Sequence, residues 1–505
     1  MKSEQNGRAP ESTIVIFGAS GDLAKRKLLP ALFRLYQQKK MAEKWRILGV
    51  SRTNFTDTTY QEAVKEDLRS AIQASSAELE NFCAHVFYLS IDPTNASEMA
   101  ALPYKLAELN ASENIHGNIL FHLATPPDLY NDIATALAAH GLNEEKAGWR
   151  RLIVEKPFGS DLKSAQLLDK HLHDFFQESQ LYRIDHYLGK ETVQNLLVIR
   201  FANSIFEPLW NASMVDYVEI TASESLGVEK RGGYYDRAGA VRDMLQNHLL
   251  QVLAMVAMEP PPDIRADYLR DEVVKVMRFL RPFGNNELAN NLVLGQYLAS
   301  KIRGEQLLGY REEPGVEKSS RTDTYVALKI FIDNWRWAGV PFYVRTGKRL
   351  PTRVSEVVIH FKKTPHPFFA ANTPDNMLIL RIQPDEGVLV KFGLKQPGVG
   401  FVSKEVSMDF HYQDLGGMKV PDAYDRLLLD ALHGDSTLFA RSDEVEASWT
   451  FVQPILDYVG EANHQLYGYA AGTWGPQEAD ELLIRDGRRW RFPCANLTAT
   501  EYCEL

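Results

Sequence analysis

The segment that most restricts the fold of this chain lies close to its N-terminus. Residues 13–18, TIVIFG, form a β-branched run that ends in glycine, and apolar positions with helical spacing follow over residues 28–35. This pattern predicts a strand, a turn and a helix. Gly18 and Gly21 in the turn would let a pyrophosphate approach bare backbone at the positive end of the helix dipole. The string is G-x-x-G, shorter than the full dinucleotide fingerprint, so a simple tight turn is the alternative.

The rest of the first 190 residues repeats this alternation of strand and helix. Further short apolar runs occur at 46–50, 86–92, 118–125 and 151–157. Strands separated by helices imply a parallel sheet. We therefore predict that residues 1–190 form a Rossmann-like dinucleotide-binding domain.

The pattern changes after about residue 200. Helical patterns at 240–258 and 271–281 precede long stretches that alternate with period two. These stretches are 324–334, 342–347, 356–363, 376–384 and 388–394. The turn PDEG at 384–387 is too short for a crossover helix, which predicts an antiparallel hairpin. Residues 191–505 are predicted to form a larger α+β domain with a mostly antiparallel sheet and helices.

Charge and cysteine content narrow the class of partner. The chain has 56 Lys and Arg against 66 Asp and Glu, a net charge of −10, which disfavours nucleic acid and an anionic membrane as partners. Cys83, Cys494 and Cys503 are scattered, which favours a reducing compartment and gives no metal site. The apolar stretch 249–258 is too short to cross a bilayer. We expect a cytoplasmic protein with a buried helix at that stretch.

Two strand ends carry side chains suited to a dinucleotide site. Ser51 and Arg52 follow the second predicted strand, where NAD enzymes commonly present an acidic residue to the ribose. An arginine there favours a ribose with a 2′-phosphate, hence NADP, and a solvated surface arginine is the alternative. Lys156, in the string EKPFG, ends another strand and is aimed at a site, and Pro157 after it is a candidate for a cis peptide bond.

The string RIDHYLGKE at 183–191 is the densest group of reactive side chains. His186, Tyr187 and Lys190 precede the helical pattern ETVQNLLVIRF, so Lys190 falls in or beside the first turn. A helix N-terminus with these groups suits a phosphate dianion. A helix cap with surface charges is the alternative.

Polar residues also interrupt a helix and a loop of the second half. Asp243, Asn247 and His248 lie in an otherwise apolar helical run, and buried polar groups need partners or a ligand. Asp243 and His248 would point about 140° apart on an α-helix, so spacing leaves open whether His248 is a base or a core histidine. Lys348 and Arg353 form a basic cluster after a strand, for which a solvated loop is the alternative.

Together these strings resemble the glucose-6-phosphate dehydrogenase family, in its bacterial form, from about residue 13 to about residue 490. The resemblance rests on six strings in the same order: GASGDLAKRKLLPALF at 18–33, EKPFG at 155–159, RIDHYLGKETVQNLL at 183–197, RDMLQNHLLQ at 242–251, DNWRWAGVPFYVRTGKRLP at 333–351 and GTWGP at 472–476. It implies oxidation of D-glucose 6-phosphate at C1 to 6-phosphogluconolactone with hydride transfer to NADP. This is the first step of the oxidative pentose phosphate pathway.

The resemblance also implies roles for individual residues. His248 would be the general base, and Asp185 would orient it and support its imidazolium. The 6-phosphate would be held by His186, Tyr187 and Lys190. The remaining sugar contacts would come from Glu224, Asp243, Lys348, Arg353 and Lys156. The residues that would line the coenzyme site are Gly18, Ala19, Ser20, Gly21, Asp22, Leu23, Ala24, Lys25, Arg52, Asp92, Tyr130 and Lys156.

Family members of this kind are dimers or tetramers joined through the sheet of the large domain. The resemblance therefore implies a homodimer or homotetramer, and it assigns substrate binding and oligomerisation to residues 191–505. Two rival functions stay open. Another NADP-dependent sugar oxidoreductase would have the glycine loop and EKP but no reason for the group from His186 to Lys190. A non-catalytic NADP-sensing protein would not need Asp185 and His248.

Overall fold

The structure is a computed structural model of the chain. It describes residues 7–113, 115, 117–284, 287–302, 304–366, 374–415, 421–461 and 464–493. Cys83 is a free, buried cysteine, and Cys494 and Cys503 lie outside the described residues.

Strands and helices alternate in the first part of the chain, and strands dominate the middle of the second. The strands are β1 (Ser12–Phe17), β2 (Trp45–Ser51), β3 (Val86–Ser90), β4 (Ile119–Leu123), β5 (Arg150–Glu155), β6 (Leu181–Ile184), β7 (Val215–Ser223), β8 (Leu292–Leu298), β9 (Ser300–Ile302), β10 (Glu305–Leu307), β11 (Tyr325–Ile330), β12 (Phe342–Gly347), β13 (Val354–Phe361), β14 (Met377–Gln383), β15 (Gly387–Lys395), β16 (Ser403–His411), β17 (Phe439–Ala440) and β18 (Tyr467–Ala470).

The α-helices are α1 (Leu29–Gln37), α2 (Asp57–Ala71), α3 (Ser76–Cys83), α4 (Ala96–Met99), α5 (Ala101–Glu113), α6 (Tyr130–Ala139), α7 (Leu162–His173), α8 (Glu191–Phe201), α9 (Gly232–Ala240), α10 (Leu250–Ala257), α11 (Ala266–Phe279), α12 (Leu288–Asn291), α13 (Ala423–His433), α14 (Ser442–Gly460) and α15 (Gln477–Ile484). Two segments have the wider π-helical turn, Ala24–Leu28 before α1 and Val241–Leu249 before α10. Among the described helices, none has both the length and the apolar character that a bilayer crossing requires.

The first unit is built on a seven-stranded sheet with the order β17-β6-β5-β4-β1-β2-β3. Its strands pair in parallel except β17, which runs antiparallel to β6. Every residue of β1 and β2 is buried, as expected for a parallel sheet covered on both faces. The five predicted strands of residues 13–157 are present, so the predicted parallel sheet is confirmed.

Two later segments join this unit. It comprises residues 1–189, 263–270 and 421–446, and the second unit comprises residues 190–262, 271–420 and 447–505. The helix α13 is attached through Arg34, whose guanidinium donates to both oxygens of Asp425, and through the ion pair of Lys27 with Asp422 at 2.9 Å. The predicted boundary near residue 190 matches the end of the first segment at residue 189, but the prediction placed residues 263–270 and 421–446 in the second domain.

The second unit holds a nine-stranded sheet with the order β16-β15-β14-β13-β7-β12-β11-β8-β18. Most neighbours are antiparallel, including the β14–β15 hairpin predicted from the PDEG turn. The pairs β7–β12 and β8–β18 are parallel. The predicted mostly antiparallel α+β domain is therefore confirmed, and α10 is the buried helix predicted within 249–258.

Candidate active site

The glycine turn lies where the sequence predicted it, between β1 and a helix that begins at Asp22. Gly18 has a φ of 79°, and a Cβ there would clash with the carbonyl of Ala124. The side chains of Ala19 and Ala24 are fully buried, and partly exposed backbone at Gly18 and Gly21 lies beside half-buried Ser20 and exposed Asp22. Bare backbone at a helix N-terminus fits the pyrophosphate of a dinucleotide.

The end of β2 is tied directly to this turn. Ser20 Oγ lies 2.9 Å from Ser51 Oγ and accepts a hydrogen bond of 2.8 Å from Thr53 Oγ1. Arg52 lies between these two partners and is exposed. Hydrogen bonds from Thr94 lower the pKa of the Asp92 carboxyl, and the charge of Arg52 lowers it further. An exposed arginine thus lies beside the glycine turn, with an ionised carboxylate in its field.

Lys156 follows the last residue of β5, and its peptide bond to Pro157 is cis. The preceding residue, Glu155, is held by His122 Nε2 at 3.0 Å and by the hydroxyl of Tyr424 at 3.3 Å. Tyr130 is buried, and its hydroxyl donates to the Glu155 carbonyl at 3.0 Å. The Tyr130 hydroxyl therefore fixes the strand end that carries Lys156.

The predicted acid and imidazole of the string 183–191 follow β6. Glu155 of β5 pairs with Ile184 of β6, so Lys156 and Asp185 emerge side by side at the carboxyl edge of the sheet. Asp185 is buried, and its Oδ1 accepts a hydrogen bond of 2.9 Å from the Tyr187 backbone N–H. His186 is half-buried against the Tyr187 ring. Carboxyl edges of open parallel sheets are where such folds hold their ligands.

In the second unit, Lys190 is the residue that immediately precedes α8, as the sequence predicted. Its Nζ donates to Gln383 Oε1 at 2.6 Å, and Gln383 is held in turn by Ser355 Oγ at 3.0 Å. Thr192 Oγ1 donates to the Ile382 carbonyl at 3.1 Å, which attaches the start of α8 to the end of β14. An ammonium group thus stands at a helix N-terminus, the arrangement that favours an anion.

The run that contains Asp243 and His248 is not the α-helix assumed from its sequence. Over Val241–Leu249 the turn is π-helical, with hydrogen bonds between residues five apart. Five residues span a smaller net angle around a π-helix than around an α-helix, so the separation of about 140° expected for an α-helix does not apply. Asn247 Nδ2 donates to the Arg242 carbonyl at 2.9 Å, and the His248 side chain is 1% exposed. His248 is thus buried within this wide turn, whereas Asp243 is half-buried.

Tyr235 is a central residue of this unit that sequence reasoning missed. Burial raises its pKa well above the ordinary value, and the charges of Asp243, Asp323 and Glu224 raise it further. Lys348 Nζ lies 4.8 Å from the centre of the Tyr235 ring and forms an ion pair with Glu224. One buried phenol is therefore in contact with Lys348 and within the electrostatic influence of Glu224 and Asp243, three of the predicted sugar-binding residues. The GGYYD string around Tyr235 carries no periodic or motif signal that distinguishes it.

The arginines within and just after β12 differ in their exposure. Arg345 is fully buried and lies 4.2 Å from the centre of the Trp490 ring, measured from its guanidinium carbon. Arg349 pairs with buried Glu313 at 3.1 Å, whereas Arg353 is exposed. Both backbone polar groups of Lys348 form hydrogen bonds. Its N–H donates to the Thr324 carbonyl at 3.0 Å, and its carbonyl accepts from the Tyr469 hydroxyl at 2.7 Å.

A parallel sheet with a glycine turn at its carboxyl edge is the arrangement of a dinucleotide-binding protein, and the family matches identify its class as an oxidoreductase. Residues 15–195 match the family described as "Glucose-6-phosphate dehydrogenase, NAD binding domain", and residues 197–491 match "Glucose-6-phosphate dehydrogenase, C-terminal domain". The chain belongs to the glucose-6-phosphate dehydrogenase family.

Similar proteins agree with this assignment. The glucose-6-phosphate 1-dehydrogenase of Aggregatibacter actinomycetemcomitans is 57% identical over 486 residues, 96% of this chain and 98% of that protein. The enzyme of the same name from Treponema pallidum is 48% identical and covers 100% of both chains. A solved structure of glucose-6-phosphate dehydrogenase in complex with its substrate glucose-6-phosphate has a TM-score of 0.88 and 34% identity, and it covers 96% of this chain and 99% of that one.

Proposed function

We propose that this chain is a glucose-6-phosphate 1-dehydrogenase. It oxidises D-glucose 6-phosphate at C1 to 6-phospho-D-glucono-1,5-lactone, the first step of the oxidative pentose phosphate pathway, and its cofactor is NADP. The observation that carries the proposal is that both domains of the family match this chain. NADP, when bound, accepts the hydride that leaves C1.

The chain's own residues supply the proton chemistry in this proposal. Hydride cannot leave C1 unless the C1 hydroxyl also gives up its proton, so the site needs a base. We assign that role to His248, whose burial keeps bulk water away from the imidazole. Asp185, also buried, is assigned the support of the imidazolium. A carboxylate stabilises the cation that forms when the imidazole takes the proton.

Sugar recognition is assigned to two groups. His186, Tyr187 and Lys190 hold the 6-phosphate, supported by the position of Lys190 at the start of α8. The sugar hydroxyl groups are assigned to carboxylates that accept hydrogen bonds and to cationic side chains that donate them. The acceptors are Glu224 and Asp243, and the donors are Lys348, Arg353 and Lys156. This second group is supported by the ion pair of Lys348 with Glu224, by the position of Lys348 over the Tyr235 ring, and by the charges of Glu224 and Asp243, which raise the pKa of Tyr235.

The coenzyme is assigned to the carboxyl edge of the parallel sheet. Backbone N–H groups of the glycine turn bind the pyrophosphate, and Arg52 binds the 2′-phosphate. The bare backbone at Gly18 and the exposure of Arg52 beside that turn fit these groups. The full proposed set is Gly18, Ala19, Ser20, Gly21, Asp22, Leu23, Ala24, Lys25, Arg52, Asp92, Tyr130 and Lys156.

One assay tests the reaction. Purified chain is mixed with glucose 6-phosphate and either NADP or NAD, and the absorbance of the reduced cofactor is followed. We expect reduction that is faster with NADP and far slower when unphosphorylated glucose replaces the substrate. Equal rates with glucose and glucose 6-phosphate would point to another sugar oxidoreductase. Cofactor binding without any reduction would point to an NADP sensor.

Arg52→Ala should weaken the use of NADP far more than the use of NAD, because NADP alone offers the guanidinium a phosphate. A charged hydrogen bond contributes roughly 1.5–3 kcal/mol, so the ratio of kcat/KM for NADP over NAD should fall about tenfold to a hundredfold. Arg69→Ala, at an exposed arginine at the end of α2, is the matched control and should leave the ratio unchanged. Equal losses with both cofactors after Arg52→Ala would remove Arg52 from this role.

The proposed oligomer is a homodimer or homotetramer joined through the sheet of the second unit. The strand β16 lies at one end of that sheet, and it exposes 64% of Met408 and 39% of Phe410. Edge strands with exposed apolar side chains are natural pairing surfaces.

Replacing Met408 and Phe410 together with lysine should therefore separate the copies. Light scattering of the parent should give about two or four times the 57.2 kDa chain mass, and the variant should give one chain mass. Ile264→Lys, at a residue of the first unit that is 85% exposed, is the control and should keep the parental mass. A double variant that keeps the parental mass would exclude β16 from the interface.

A cytoplasmic location is also a proposal. It is supported by the scattered cysteines and by the buried, free thiol of Cys83, which are typical of a reducing compartment.

A further inference from the structure

The helix that carries Asp243 and His248 begins just after a kink at Gly239. Gly239 has a φ of 67° and a ψ of 174°, so α9 and the π-helical segment Val241–Leu249 are separate helices. A Cβ at Gly239 would lie 2.5 Å from Asp323 Oδ1. The bend therefore brings the backbone directly against the side chain of Asp323.

Asp323 accepts hydrogen bonds from the start of the helical segment that carries His248. Its Oδ2 accepts a hydrogen bond of 2.9 Å from the Val241 N–H, and its own carbonyl accepts one of 2.9 Å from the Ala240 N–H. Both N–H groups belong to a helix N-terminus, where the helix itself supplies no acceptor. Asp323 is 2% exposed, and burial raises its pKa while the Val241 hydrogen bond lowers it. A residue 82 positions further along the chain thus caps this helix.

Asp323 is held in place because the next residue, Thr324, is also fixed by hydrogen bonds. The Thr324 N–H donates to the Gly295 carbonyl at 2.8 Å, and Thr324 Oγ1 accepts from the Tyr297 N–H at 3.0 Å. The Thr324 carbonyl is the acceptor for the Lys348 N–H. The pair Asp323–Thr324 therefore holds both the start of the His248 helix and the turn that presents Lys348.

We propose that Asp323 is a positioning residue for the reaction, setting the place of His248 through the first turn of its helix. The inference rests on the proposed role of His248 as the base. The segment Val241–Leu249 continues into the buried helix α10, so a displacement of its first turn moves the imidazole two turns further on. A base displaced by about 1 Å can lose on the order of a hundredfold in rate.

The test compares Asp323→Ala with Asp323→Asn. Alanine removes the acceptor for Val241, whereas the asparagine carboxamide oxygen can still accept that hydrogen bond. We expect Asp323→Ala to lower kcat about tenfold to a hundredfold, with a smaller rise in KM for glucose 6-phosphate. Asp323→Asn should stay within about threefold of the parent. The dissociation constant for NADP, measured by fluorescence titration, should be the same in all three proteins.

A double-mutant cycle with His248→Asn separates positioning from general damage. If Asp323 acts through His248, adding Asp323→Ala to His248→Asn should lower kcat no further. Glu356→Ala is the matched control, because Glu356 is 2% exposed in the same unit and its partner there is Arg491. This control should lower the melting temperature while keeping kcat.

Three results would overturn the inference. The first is a parental kcat for Asp323→Ala in an enzyme that His248→Asn inactivates, which would leave the base assignment intact. The second is an equal loss from Asp323→Ala with and without His248. The third is a near-parental kcat for His248→Asn itself, which would refute the proposed base and with it this inference.

Discussion

His248→Asn is expected to lower kcat by about 10²–10⁴, or roughly 3–5 kcal/mol of activation barrier, because asparagine can hydrogen-bond but cannot take a proton. His248 is 1% exposed, so bulk water has poor access to replace it as the acceptor. Affinity for glucose 6-phosphate should change by a few-fold at most, since the phosphate is assigned to other residues. The measurement is steady-state formation of reduced NADP, with cofactor binding used to verify the fold.

The chain offers a matched control for this variant. His360 is 7% exposed and is bonded through Nε2 to Glu219 at 2.6 Å, in a part of the second unit to which we assign no chemistry. His360→Asn should keep kcat within a few-fold. Asp185→Asn should slow the reaction less than His248→Asn does. In the parent, kcat/KM should fall as the pH drops and the base becomes protonated. A near-parental kcat for His248→Asn would mean that another group takes the proton.

The second large effect is expected at the phosphate. Lys190→Ala should lower kcat/KM for glucose 6-phosphate by about a hundredfold, near the upper range for a charged hydrogen bond of roughly 1.5–3 kcal/mol. Part of the loss should fall on kcat, because a remote phosphate contact positions C1. The slow reaction with unphosphorylated glucose should hardly change. Both reactions are followed through the absorbance of reduced NADP.

Two further variants test whether a loss of kcat/KM in Lys190→Ala comes from the missing positive charge. Lys190→Arg keeps the positive charge before α8 and should recover part of the loss. Lys275→Ala removes a lysine of the same unit that pairs with Glu272 at 2.6 Å, and it should leave both reactions unchanged. If Lys190→Ala reduced the two reactions in the same proportion, the residue would act on folding rather than on the phosphate.

Local patterns were sufficient to predict most of the architecture. The run TIVIFG and its glycine turn predict β1 and the following helix because burial on both faces and a positive φ are local demands on sequence. The period-two stretches predict β11 to β15 for a similar reason. The strand β6 was missed because Leu181–Ile184 is four residues long and contains an arginine. Its position nevertheless determines where Asp185 emerges.

The site was harder to predict than the fold because its remaining determinants are not local. Tyr235 could not be predicted because the charged residues that act on it, such as Asp323 and Lys348, come from distant parts of the chain. Asp323 caps a helix made of residues that precede it by about 80 positions. The π-helical turn of Val241–Leu249 depends on backbone pairing that helical periodicity does not encode. Resemblance to a family supplied the residue roles that pattern reasoning left open.

The first unit is built from three separate segments of the chain, which a ribosome makes at different times. A ribosome completes residues 1–189 early, but residues 421–446 of the same unit emerge after most of the chain has been made. Until then Lys27 and Arg34 lack Asp422 and Asp425, and β6 lacks its neighbour β17. An unpaired strand edge is a site of aggregation in a nascent chain. A product terminated before residue 421 therefore cannot complete even its N-terminal nucleotide-binding unit.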